Sequence, residues 1–95
     1  MYTKDFRQYS AKIKVPWWIL YHHLDDLKSA YEDKLGGYLT KKFRVTTRAF
    51  NQALKCRITV IFDDIPSNPE AINNLIERVA KEIVPLLIIK IKRKG

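Results

Sequence analysis

Polar and hydrophobic positions alternate from about Phe6 to Val15, with Tyr9, Ala11, Ile13 and Val15 on one side and Gln8, Ser10, Lys12 and Lys14 on the other. That period of two belongs to a half-buried strand. Pro16 ends the run and suits the first turn of a helix, where its missing N–H has no partner to lose. Trp17, Leu20, Tyr21, Leu24, Leu27, Tyr31 and Leu35 then fall on one stripe of a 3.6-residue period. The spacing predicts one helix to about Leu35, ended by Gly36 and Gly37 in left-handed geometry.

Alternation resumes twice. Phe43, Val45, Thr47 and Ala49 share one face of a first run, and Leu54, Cys56, Ile58, Val60 and Phe62 share one face of a second. The two read as a hairpin closed near Asn51 and Gln52. A loop from Asp63 leads to a helix start at Pro69 and Glu70, with Asn68 or Ser67 as cap. The stripe Ala71, Ile72, Leu75, Ile76, Val79 and Ile83 predicts a second helix to about Val84, which Pro85 is expected to break. Leu87, Ile89 and Ile91 then alternate with Leu86, Ile88, Lys90 and Lys92 as a last strand.

The predicted order is β-α-β-β-α-β. A ferredoxin-like α+β fold satisfies it, with a four-stranded antiparallel sheet, two helices on one face and the other face open. A chain of 95 residues with 46% hydrophobic content closes one core, so residues 1–95 are expected to form one domain. No stretch has the length of a membrane span, no signal core opens the chain, and the lone Cys56 forms no internal disulfide. A soluble cytoplasmic location is the expectation.

Charge changes the picture from fold to function. The net charge is +8, from 18 Lys and Arg against 10 Asp and Glu. On the predicted sheet, Lys12, Lys14, Lys42, Arg44, Arg48, Lys55, Arg57, Lys90 and Lys92 share the open face with Thr46 and Thr59 and with no acid. Asp25, Asp26, Glu32, Asp33, Glu70, Glu77 and Glu82 lie on the predicted helices. Like charges across a ladder repel, and a polyanion relieves that repulsion.

The function expected is therefore non-catalytic binding of nucleic acid, DNA or RNA, through its phosphates. RNA-recognition-motif domains share this strand order but carry base-stacking aromatic residues on the central strands. Here those strands offer Ser10, Lys12, Arg57 and Thr59, and only Phe6 and Phe50 reach the open side, so sequence preference should be weak. The alternative is an adaptor or inhibitor whose basic face meets an acidic protein.

The remaining constellations point to less. His22 and Asp26 share a helix face beside His23 and Asp25, but a metal would need a third ligand. Cys56 reads as a buried thiol and Asp63-Asp64 as loop acids, so neither a cofactor nor catalysis is expected. Trp17 is assigned to the core, while Trp18 with Ile19 is expected to lean outward as a contact for a second copy or another protein.

Overall fold

A computed structural model describes residues 7–50 and 54–94. Phe6, Asn51 and Gln52, which carried expectations above, lie outside the described residues. The order is β1 (Gln8–Lys14), α1 (Trp17–His22), α2 (Leu24–Gly36), β2 (Phe43–Phe50), β3 (Lys55–Phe62) and α3 (Pro69–Lys94). The fold is α+β: an open three-stranded antiparallel sheet and three helices.

β3 is central, with β1 on one side and β2 on the other, both antiparallel to it. The alternation predicted for all three strands holds. Ala11 and Ile13 on β1, Val45 on β2 and Cys56, Ile58, Val60 and Phe62 on β3 are buried under the helices. α2 packs over β2, α3 packs over β1, and the two helices touch each other. Tyr31 is fully buried at that seam, where its hydroxyl donates to the Ile76 carbonyl at 2.7 Å. Burial raises the Tyr31 pKa far above its ordinary value, because a phenolate there would lose its water.

The fourth strand is absent among the described residues. Residues 86–92 instead continue α3, which runs unbroken through Pro85 for 26 residues. The reason lies in a second periodicity under the same letters. Ile76, Val79, Ala80, Ile83 and Leu87 are all buried, the three-and-four spacing of a helix face, and half-buried Ile91 extends it. Strand alternation would bury Ile89 with Leu87, yet Ile89 is 53% exposed and Leu87 3%. Pro85 sits on the exposed side. The hydrogen bond it removes is the one its own N–H would have made to Lys81, whose carbonyl can turn to water there. At about 1.5 Å per residue α3 is roughly 39 Å long, against about 26 Å for the longer strands, so its end overruns the sheet. No helix among the described residues is long and apolar enough to cross a membrane.

The first predicted helix is two. His23, at φ −132° and ψ 24°, interrupts it, donating its N–H to the Ile19 carbonyl while its own carbonyl accepts from Leu27. This break resets the phase of the stripe. Ile19 and Leu20 turn into the core, and Trp17 and Tyr21, expected inside, are exposed. Gly36 and Gly37 do not take the left-handed form expected of them: α2 runs through Gly36, and Gly37 is right-handed at φ −72°. The left-handed residue is Leu54, at φ 50°, an exposed turn residue just before β3 where a core position was expected. Its carbonyl accepts from the Val15 N–H at 3.0 Å. The second helix start is as expected, with Asn68 Oδ1 accepting from the Ala71 N–H at 3.2 Å, although Ala71 itself faces out.

Candidate nucleic-acid interface

Sheet register decides which bases meet. β1 pairs with β3 so that Lys12 stands opposite Arg57 and Lys14 opposite Lys55. β2 pairs with β3 so that Arg48 stands opposite Arg57 and Phe50 opposite Lys55. One row across the open face is therefore Lys12, Arg57, Arg48, and the next is Lys14, Lys55, Phe50. Ser10, Thr59 and Thr46 form a neutral row on the other side of the first, followed by Gln8, Ile61 and Arg44. Lys12, Lys14, Arg44, Arg48 and Lys55 are exposed, and Arg57, on the central strand, is half-buried.

Phe50 adds an aromatic surface to the basic rows. The Arg48 and Arg57 guanidiniums lie 5.6 and 5.4 Å from its ring centroid, within cation–π range. Those contacts hold two long side chains near a flat ring at one end of the face. None of the sheet bases has an acid partner among the described residues. The side-chain ion pairs there, His23 with Asp26 and Arg78 with Glu82, are both on the helix side. Two unit charges about 5 Å apart in water repel by about 0.8 kcal/mol before salt screening, an upper bound for opposed bases whose long side chains carry their charges out into solvent.

Not every expected base belongs to this surface. Lys42 lies just before β2 and continues its parity, with its carbonyl accepting from the Asp63 N–H at 3.3 Å. Lys90 and Lys92, assigned to the open face through the fourth strand, are exposed on the overrunning end of α3. Lys90 lines a groove of about 310 Å³ with His23, Asp26 and Asp33 of the α2 side, away from the sheet bases. The basic face is thus narrower than expected and more concentrated on three strands.

The expected protein contact at Trp18 and Ile19 is also redrawn. Ile19 is fully buried, and Trp18 is half-buried with its ring 5.8 Å from that of His23. The aromatic residues offered to solvent are Trp17 and Tyr21, their ring centroids 6.4 Å apart. His23 rather than His22 meets Asp26, at 2.9 Å from Nδ1 to Oδ2, and no third metal-binding side chain joins them among the described residues. Cys56 is fully buried on the core side of β3. Loss of water pushes its pKa up, against a smaller downward effect of a backbone hydrogen bond at Arg48. Asp63 and Asp64 are exposed loop residues.

Ile61 was not singled out from the sequence, and Glu77 and Lys81 were not expected at the sheet edge. Ile61 continues the open-face parity of Arg57 and Thr59, a signal that was present. Lys81 and Glu77 reach the β1 side of the sheet only because α3 packs over β1, which no local pattern states. No family model matches the chain, and no curated protein or solved structure is significantly similar to it.

Proposed function

We propose that the open sheet face binds nucleic acid through its phosphates, without catalysing a reaction on it. The observation that supports the reading most is the register-fixed row Lys12, Arg57, Arg48 beside Lys14 and Lys55. Bases set directly opposite one another, with no acid partner among the described residues, carry a repulsion that a phosphate backbone removes on contact. Lys supplies point charges and Arg a forked donor, so one strand of phosphates can be held at several points. The groups gathered there bind anions; the face has no acid, histidine or cysteine among the described residues to act on a bound chain.

Base reading would be slight. Among the described residues Phe50 is the aromatic residue of the face, and it lies at the end of β2 with Arg48 and Arg57 against its ring. Backbone contacts then dominate, and affinity should depend steeply on salt and little on sequence. Titrating single-stranded DNA, duplex DNA and RNA at several salt concentrations tests this. For duplex DNA the log–log slope should be about −3 to −5 if three to five bases engage phosphate, at roughly −0.9 each. A salt-independent affinity, or a strong preference for one sequence, contradicts the reading.

A further inference from the structure

The unpaired edge of β1 is a site of a different kind. The Phe62 N–H donates to the Arg7 carbonyl and the Val15 N–H to the Leu54 carbonyl, so the odd-numbered residues of β1 direct their backbone groups at β3. In an antiparallel ladder these alternate. The backbone N–H and C=O groups of Ser10, Lys12 and Lys14 therefore point the other way, off the sheet, where no described strand pairs with them. Two adjoining hollows of about 430 and about 330 Å³ lie along that edge. Both are lined by Lys12, Ile13 and Lys81; the first also meets Arg57 and Glu77, and the second Lys14 and Val84. The edge, the space beside it and a helix wall under it are what an added strand requires.

We propose that this edge captures an extended peptide of a partner protein in which acidic residues alternate with apolar ones. Along an added antiparallel strand, side chains of one parity would stand on the open face beside Lys12 and Lys14, close to Arg57. Carboxylates fit there. Those of the other parity would lie against Ala80 and Val84 of α3, where β-branched apolar side chains fit.

The same charges decide against a second copy of this chain. Antiparallel self-pairing centred on Lys12 sets Lys12 against Lys12, and pairing centred on Ile13 sets Lys12 against Lys14, so either extends the row of bases with more bases. Edge lysines commonly guard a strand in this way. Here the guard is selective, since it repels a copy and attracts an acid, and β1 is a regular seven-residue ladder without proline. The site adjoins the proposed nucleic-acid face but does not depend on it.

A capped peptide of alternating glutamate and valine, matched in length to β1, is the probe. Amide hydrogen exchange should show the Ser10, Lys12 and Lys14 amides slowed by about tenfold or more on its addition, with the odd-numbered amides, already bonded to β3, little changed. The same peptide with lysine in place of glutamate should not bind. Ser10→Pro removes an outward N–H without touching charge or the β3 ladder, as proline is tolerated where the N–H faces away from the sheet. It should weaken binding by about tenfold, and Ser10→Thr by less than about twofold. The proposal is overturned if the glutamate peptide fails to bind, if it binds without slowing those amides, if the lysine peptide binds equally, or if the two Ser10 variants bind alike. Should Ser10→Pro unfold, the exchange pattern of the unaltered chain decides. An oligonucleotide that slows the same amides while the peptide does not also overturns it.

Discussion

Leu54 is the residue whose backbone departs furthest from its preference. A left-handed φ of 50° crowds the Cβ of a leucine and costs about 1 kcal/mol relative to glycine, while its exposed side chain returns little by burial. Leu54→Gly should therefore raise stability by about 0.5–1 kcal/mol in urea unfolding, and Leu54→Asn by somewhat less. A loss from both would show that Leu54 contributes packing the geometry does not reveal. Tyr31 makes the opposite case, a buried polar group with its one donor satisfied. Tyr31→Phe removes the bond to Ile76 but leaves that carbonyl its helical partner, so the loss should be about 1 kcal/mol near neutral pH. The sign with pH follows from the raised folded pKa. The native tyrosine stays protonated while the unfolded one ionises above its ordinary 10.0, so stability present below pH 10 is lost as pH rises beyond it. Tyr31→Phe should flatten that alkaline fall, measured as unfolding midpoint against pH. An unchanged slope would remove Tyr31 as its source.

At the level of elements, α3 is where a sequence pattern supported two structures. Proline inside a helix costs up to about 3 kcal/mol, and Pro85 sits on an exposed side where alanine loses little contact. Pro85→Ala should raise stability by about 1–3 kcal/mol and strengthen the helical signal in far-ultraviolet circular dichroism. A fall in stability without helical gain would favour a strand after residue 85. The three strands were legible because nearly all their apolar residues fall on one side, with Phe50 and Ile61 on the other, which fixes both period and face. Leu86 to Ile91 carry apolar residues on both parities, so local alternation there is compatible with either period. The buried row from Ile76 to Leu87 appears only when residues on both sides of Pro85 are taken together. The His23 break was not legible for a related reason. Nothing in the letters Tyr21-His22-His23-Leu24 forbids a continuous helix, and only packing turns Ile19 inward and Trp17 outward. On the sheet, Lys12, Lys14, Arg44, Arg48, Lys55 and Arg57 could be placed from parity alone. Which of them oppose one another required the register.

The molecule as a whole separates its charges. The acids of α2 and α3 belong to the helix layer, although Glu77 lines a hollow with Lys12 and Arg57 at the β1 edge and the two helices carry bases of their own. A net charge of +8 by itself attracts any polyanion at long range, so salt dependence alone cannot distinguish a built surface from general basicity. The position of Lys90 and Lys92, on the end of α3 rather than on the sheet, supplies the internal control. Arg48→Glu with Arg57→Glu and Lys90→Glu with Lys92→Glu change net charge equally on different sides of the fold. The measurement is the affinity of both double variants for the same single-stranded oligonucleotide at one salt concentration, with thermal unfolding followed alongside. The sheet pair should lose about tenfold or more in affinity relative to the helix pair, with both unfolding close to the unaltered chain. Equal losses from the two pairs, or a larger loss from Lys90 and Lys92, would contradict the sheet face as the binding surface.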